Sequence, residues 1–306
     1  MDELKKLTLQ QLKELPEYDS LPSSMKKSTL RVGELRKAIH NYREKKEKFT
    51  CEEQYHLSPD ELMNTMRSVL AEYYKHGPRS SKKIDILHFF IHCLILQELR
   101  RIAPDLMPDI RVYSQPFEEA NVSGMLYNKD VDITIRYNKD HDVGIVSVKF
   151  ITSNYVQNSN NYFESLLGET INLKGVDSKP RIVWFSMFTF KNIPYYNKDN
   201  AIKNYEKFEK KHIDRYKLLW EYSSQHKILP DCVSVTVLHN KKNMKHPNKI
   251  KEDGMSDEDI ELMIRRLLLG EYNEEIPIQF YPQLKIFCKK VVNLIHQKYT
   301  KKIKTS

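Results

Sequence analysis

Glycine is scarce in this 306-residue chain, at eight residues. No glycine-rich run matches a phosphate-binding loop or a dinucleotide fingerprint, which argues against a nucleotide-driven motor or a dehydrogenase and against any nucleotide cofactor. Cysteine is equally sparse. Cys51, Cys93, Cys232 and Cys288 lie far apart with no C-x-x-C pair, so neither a zinc knuckle nor a disulfide framework is indicated and all four read as reduced packing residues. No run reaches the roughly 18 apolar residues of a membrane span. The N-terminus MDELKKLTLQ lacks the apolar core of a secretory signal. A cytoplasmic protein with no membrane partner is expected.

What is present is a chain long enough for a substantial core, with 40% hydrophobic residues, organised as one large domain or two modest ones. Its 50 Lys and Arg against 41 Asp and Glu leave a net charge of +9. Such an excess suits a polyanionic partner, nucleic acid or an acidic membrane surface, and also suits a lysine-rich surface that merely keeps the protein dissolved.

The first fifty residues read as two short helices around a turn containing Pro and Ser, the second carrying Leu30, Leu35 and Ile39 on one face. Between Lys26 and Lys48 there are nine Lys or Arg against three Glu. Lys26, Lys27, Arg31, Arg36 and Lys37 are the candidate phosphate contacts. In outline this segment resembles the SAP-type module of helix, extended loop and helix, which implies DNA binding. The alternative is an amphipathic cap on the main domain.

A capped helix follows, with Ser58 as N-cap, Pro59 in its first turn and Gly77 past its end. The next runs from about Ser81 to Ile102, apolar on most sides, with His88, His92 and Cys93 inside it. One helix cannot complete a metal shell, so these three read as core residues. The hydrophobic period then changes from 3.6 to 2 in DIRVYSQPF, VDITIRYN and VGIVSVKFI, predicting three strands. A helix at about 158–174 and the wholly apolar strand RIVWFSMFTF come next; such continuity places that strand inside a sheet. Beyond it are expected a long charged helix at about 199–224, the strand VSVTVLH, the basic loop KKNMKHPNKIK, a helix capped by Ser256 and Asp259, and a last helix from about Tyr281 to Tyr299. The fold class is α/β, a central mixed sheet flanked by helices, with helical additions at both ends.

Alternation in the strand around Val131, Ile133 and Ile135 puts Asp130, Asp132 and Thr134 on one face. In the following strand it puts Ser147 and Lys149 together. If the two strands pair through the turn at Lys139 to Asp142, Asp132 and Lys149 face each other across a hairpin. A carboxylate beside an ammonium at a sheet end suits metal-dependent phosphodiester cleavage. The carboxylate holds the divalent ion, and the lysine orients the attacking water or offsets growing charge. An ordinary cross-strand ion pair would use the same two residues.

Asp132 and Lys149, with sixteen residues between them in a strand, turn, strand, helix context, resemble the PD-(D/E)xK nuclease core of type II restriction endonucleases. The resemblance covers roughly Ser81 to His239. It departs from the pattern in having no proline before either aspartate and Ser147 in place of the acid two residues before the lysine. One branch of these enzymes has Ser-x-Lys and carries the missing acid on the following helix, and here Glu164 and Glu169 lie fifteen and twenty residues after Lys149.

The resemblance implies a restriction-endonuclease-like core at 79–240, between a helical region at 1–78 and a basic loop with helices at 241–306. Asp132 and Glu164 would hold Mg²⁺, Lys149 would position water with Ser147 in support, and Asp130 and Glu169 stand in reserve. Asn154, Gln157, Asn158, Asn160 and Asn161 crowd beside this centre, able to contact bases or phosphates, although a loop and an N-cap would also use one or two of them. The expected activity is Mg²⁺-dependent cutting of double-stranded DNA at a specific sequence by a homodimer. The alternatives are a structure-specific nuclease of the resolvase or transposon-end type, and a DNA-binding protein without catalysis.

Overall fold

The computed structural model describes residues 2–19, 21, 31–48, 56–77, 82–114, 120–176, 178–271 and 278–299. Four helices come first: α1 (Asp2–Lys5), α2 (Leu9–Lys13), α3 (Pro16–Asp19) and α4 (Val32–Lys48). Leu4, Leu12, Leu21, Leu35 and Ile39 form a small hydrophobic cluster of their own. The ends of this unit are tied by Arg36, which donates to the Leu7 carbonyl at 2.7 Å, and by an Arg43–Glu17 ion pair. The expected pair of helices is thus three short helices and one long one.

Next come α5 (Pro59–His76) and α6 (Lys82–Ile102). Ser58 caps α5 by accepting from the Glu61 amide, and Gly77 ends it at φ +88°, a conformation only glycine adopts without strain. A 3-10 turn at Pro104–Asp109 leads to β1 (Ile110–Ser114), β2 (Ala120–Val122), β3 (Lys129–Val131), β4 (Ile133–Tyr137) and β5 (His141–Ile151). Then follow α7 (Tyr155–Lys174), β6 (Ile182–Phe190), β7 (Asn192–Tyr196), β8 (Ile202–Lys207), α8 (Lys210–Tyr222), β9 (Cys232–Asn240), α9 (Pro247–Glu252), α10 (Asp257–Leu267), β10 (Leu268–Glu271) and α11 (Phe280–Lys298).

The central sheet has six strands in the order β1-β4-β5-β6-β9-β10. β1, β4 and β5 pair antiparallel, β5, β6 and β9 parallel, and β9 and β10 antiparallel. Parallel neighbours need crossovers on the sheet faces, and α7 and α8 supply them. Trp184 packs on Phe280 and Phe287 of α11, whereas the adjacent Phe185 stacks on Tyr216 of α8, which also meets Phe163 of α7. Consecutive strand residues face opposite ways, so α11 covers one face and α7 with α8 the other. α6 packs beside α11, its Phe90 stacked on Phe280. At Gly144 a methyl group would lie 2.9 Å from Val291 and 3.1 Å from Phe287; the missing side chain is what lets α11 approach β5.

Three expectations need correction. The stretch read as one helix at 199–224 begins instead as β8, which pairs with β7 in a separate ribbon, and only 210–222 is helical. The basic loop contains the short helix α9. Cys232 and Cys288 are buried and free as expected, but Cys93 is disulfide-bonded.

Candidate active site

The strand carrying the two aspartates breaks at Asp132. Asp130 belongs to β3, which pairs with β2, and its carboxylate accepts from Asn121 at 2.7 Å on an exposed surface. β4 starts one residue after Asp132 and enters the central sheet. The simple alternation that put Asp130 and Asp132 on one face therefore fails at the point where the chain changes sheets.

At Asp132 the ladder between β4 and β5 runs out, its last pairs being Thr134 with Ile145 and Ile133 with Val146. Val148 still needs an acceptor, and Asp132 Oδ2 takes its N–H at 2.7 Å. Among the described residues no other hydrogen bond or ion pair engages the Asp132 carboxylate. Continuing the register puts Asp132 opposite Ser147, with Lys149 two residues further along the same face, beside Met187 of β6. Lys149 is half-buried and makes no ion pair with any described residue. The cross-strand ion pair is thus not what joins these two: the carboxylate is bound to a backbone amide and the ammonium is left uncommitted.

Two further polar groups stand here without partners. Ser147 is 6% exposed and its hydroxyl has no hydrogen bond. His88 of α6 is 2% exposed, with both ring nitrogens unpartnered. Burial lowers its pKa below that of an ordinary histidine, with the Asp132 carboxylate pulling it up and the Lys149 charge pushing it down, so it lies within electrostatic reach of both. An orphaned buried donor or acceptor costs about 1–3 kcal/mol, and two together mark a place where a partner belongs. Periodicity alone reads His88 as core. The signal that could have found it is Asp85, another polar residue one turn earlier on the same face within the largely apolar stretch from Ile84 to Ile95. The other members of that group are spent: His92 Nδ1 lies 2.8 Å from the Ser114 hydroxyl, and Cys93 is in its disulfide.

α7 disposes its acids unlike the expectation. Tyr155 and Leu173 are buried, and each is nine residues from Glu164, which at 100° per residue is about half a turn. Glu164 is accordingly exposed, on the face opposite the sheet. Glu169 lies about 40° from Leu173 but is engaged by Lys129 at 3.5 Å. Among the described residues no hydrogen bond or ion pair joins either of them to Asp132. Among the described residues no three His, Cys, Asp or Glu side chains gather closely enough to hold a metal ion.

The amides beside the centre are largely structural. Asn154 sits at φ +51° before α7, donates its N–H to the Pro194 carbonyl and accepts the Tyr196 N–H on its side chain. Asn158 donates to the Asn154 carbonyl and Asn160 accepts from Arg215. Gln157 and Asn161 are exposed. Of the N-terminal cations, Lys26 and Lys27 fall outside the described residues. Arg31 and Lys37 are exposed, and Arg36 is held by the Leu7 carbonyl.

A groove of about 1080 Å³ lies elsewhere, between α5 and α10, lined by Arg67, Glu72, Lys75, Asp257, Glu261 and Arg265. Its charges neutralise one another, Lys75 with Asp257 at 2.7 Å and Arg265 with Glu261 at 2.6 Å. The uncommitted groups at the end of β5 are the better candidate for chemistry. Set against known proteins, the chain matches no family model, no curated protein and no solved structure. Among the described residues no helix is long and apolar enough to cross a membrane.

Proposed function

We propose that the chain is a Mg²⁺-dependent DNA endonuclease of the restriction type, with a PD-(D/E)xK core whose reacting centre is Asp132 and Lys149. The observation that carries this reading is the Asp132 carboxylate bound to the Val148 amide next to Lys149 yet unpaired with that lysine, with the orphaned Ser147 hydroxyl on the neighbouring residue and His88 within electrostatic reach. A purely structural pair would neutralise itself and leave no such remainder.

The residues suit magnesium better than a metal that needs a closed protein cage. Mg²⁺ retains several waters and takes one or two carboxylates together with substrate phosphate, so the free oxygen of Asp132 and the phosphate can serve where no three-residue cluster exists. When bound, the ion would polarise the phosphodiester and acidify a water. Asp132 would hold it, with the carboxylate's direction fixed by the Val148 amide. Lys149 would donate to the attacking water or to the phosphoryl oxygen that gains charge, and the unpartnered Ser147 hydroxyl would support it.

Glu164, pointing outward on α7, would contribute only to a neighbouring centre in a dimer. The one observation that favours a second reading, DNA binding without catalysis, is the lack of a preassembled ligand cluster. Incubating the purified chain with supercoiled plasmid DNA decides between them. Discrete linear fragments with Mg²⁺ and intact DNA in EDTA support the nuclease; DNA left intact under both conditions, although bound, supports the second reading.

A further inference from the structure

The carboxyl ends of β5, β6 and β9 lie together, since Ile151 aligns with Thr189 and Phe190 with Leu238. In open α/β sheets ligands approach at such ends. Here the end is built over by two segments that the charge pattern alone does not connect: the β7–β8 ribbon and the loop after β9. Asn192 and Asn240 lock their starting points, with Asn192 donating to the Asn240 carbonyl and Asn240 to the Asn192 carbonyl. Tyr196 and Tyr205 of the ribbon donate their hydroxyls to the carbonyls of Lys245 and Met244 in the loop. Asn154 and Glu206 fasten the ribbon to the start of α7, Glu206 accepting the Val156 N–H at 2.9 Å. Ribbon, loop and helix start therefore make one rigid rim beside Lys149.

The rim is cationic outward. Ile193, Pro194 and Tyr196 are buried, whereas Lys198, Lys203 and Lys207 of the ribbon and Lys241 and Lys242 of the loop are exposed. None of these five forms an ion pair with a described residue. The acids nearby are engaged elsewhere: Glu206 on α7, Glu209 with Lys211, Asp253 with Lys245. Asp199 at the tip is the exception. The tip is itself firm, Asn197 accepting the N–H groups of Asp199 and Ala201 on its side chain.

We propose that this rim is the duplex-DNA docking surface, the β7–β8 ribbon entering the major groove and the lysines of the 241–242 turn lying on the flanking phosphates. The proposal rests on the nuclease reading for the position of the reacting centre. A two-stranded antiparallel ribbon is an element the major groove admits. The lysines, free of ion pairs, match a polyanion, and the amide of Asn204 in the same ribbon is exposed and available to base edges.

The test uses the full chain and a fluorescent 20-base-pair duplex in EDTA, which separates binding from cleavage. Replacing Lys198, Lys203 and Lys207 together by Gln should lower the salt slope of log K by up to about 2.7, and replacing Lys241 and Lys242 by up to about 1.8, at about 0.9 per lost contact, with thermal melting unchanged. Both variants binding within twofold of the parent with an unaltered slope would overturn the surface. DNA carrying glucosylated hydroxymethylcytosine, which fills the major groove, should bind at least tenfold more weakly, and equal binding would overturn the ribbon's place in that groove. A parent chain that binds and responds in this way but leaves DNA uncut with Mg²⁺ refutes the nuclease reading and supports the surface.

Discussion

On the nuclease reading Asp132 would perform two separable tasks, and two substitutions pull them apart. Its Oδ2 closes the sheet by accepting the Val148 amide at 2.7 Å, while its other oxygen would serve the cation. Val148 is 3% exposed, so Asp132→Ala strands a buried N–H and removes a charge-assisted bond, at about 2 kcal/mol. At about 2–4 °C per kcal/mol for a chain of this scale, melting should fall by about 4–8 °C. Asp132→Asn keeps an acceptor of the same shape and should cost about 1 kcal/mol or less, yet it withdraws the negative charge a divalent ion needs. Both variants should lose Mg²⁺-supported plasmid cleavage, by on the order of 10³-fold or more, as read from initial rates of supercoil loss. Differential scanning fluorimetry gives the stability axis. Cleavage by Asp132→Asn at near the parent rate would reduce Asp132 to a strand cap and refute the catalytic assignment. An unshifted melt in Asp132→Ala would instead refute the argument that Val148 aims the carboxylate.

Lys149→Ala should abolish cutting while duplex affinity in Ca²⁺ changes less than threefold, because its ammonium bonds nothing in the fold; a parallel loss of binding would make it a phosphate contact. Glu164→Gln should leave cleavage in dilute protein near the parent rate, since α7 turns Glu164 outward; loss of cleavage would mean that the acid comes across a dimer interface. Burial holds the His92 pKa down at about 4 against about 6.5 in an unfolded chain. Between those values the unfolded chain takes up a proton that the folded one refuses, so this stability is complete above pH 6.5 and falls by about 1.4 kcal/mol per unit as the pH drops toward 4. Urea titrations of His92→Gln should show a flatter slope between pH 5 and 6, and an unchanged slope would assign the acid sensitivity to other groups.

Residues whose neighbours in sequence decide their environment were legible. Ser58, Pro59 and Gly77 bracket α5 because a cap acts within one turn. The apolar run 182–190 could lie only inside a sheet, and β6 is the middle one of three parallel strands, between β5 and β9. Residues whose environment is set by distant chain were not. β8, with the sequence IKNYEK, has neither an apolar period nor a continuous run, because one side rests on Tyr73, Tyr74 and Met244 territory and the other meets water; its polar alternation was absorbed into the helix that follows. β10 is four residues long, too short for any period to register.

The candidate centre divides along the same line. Asp132 and Lys149 come from one hairpin, so their neighbourhood, with Asp132 bound to the amide beside Lys149, could be read from sequence, whereas the change of sheet at Asp132 could not. The partner acid comes from packing between elements, where spacing along the chain is a poor guide. A count of fifteen residues from Lys149 favours Glu164, but the phase of α7 is set by Tyr155, Leu166 and Leu173 meeting the sheet, and that phase turns Glu164 away. His88 was hidden for the converse reason: on an apolar helix it looks like filler, and only the sheet beneath α6 reveals that its nitrogens have nothing to bind. The proposed centre would therefore combine a local pair that one hairpin supplies with supporting groups that only packing between distant elements can select.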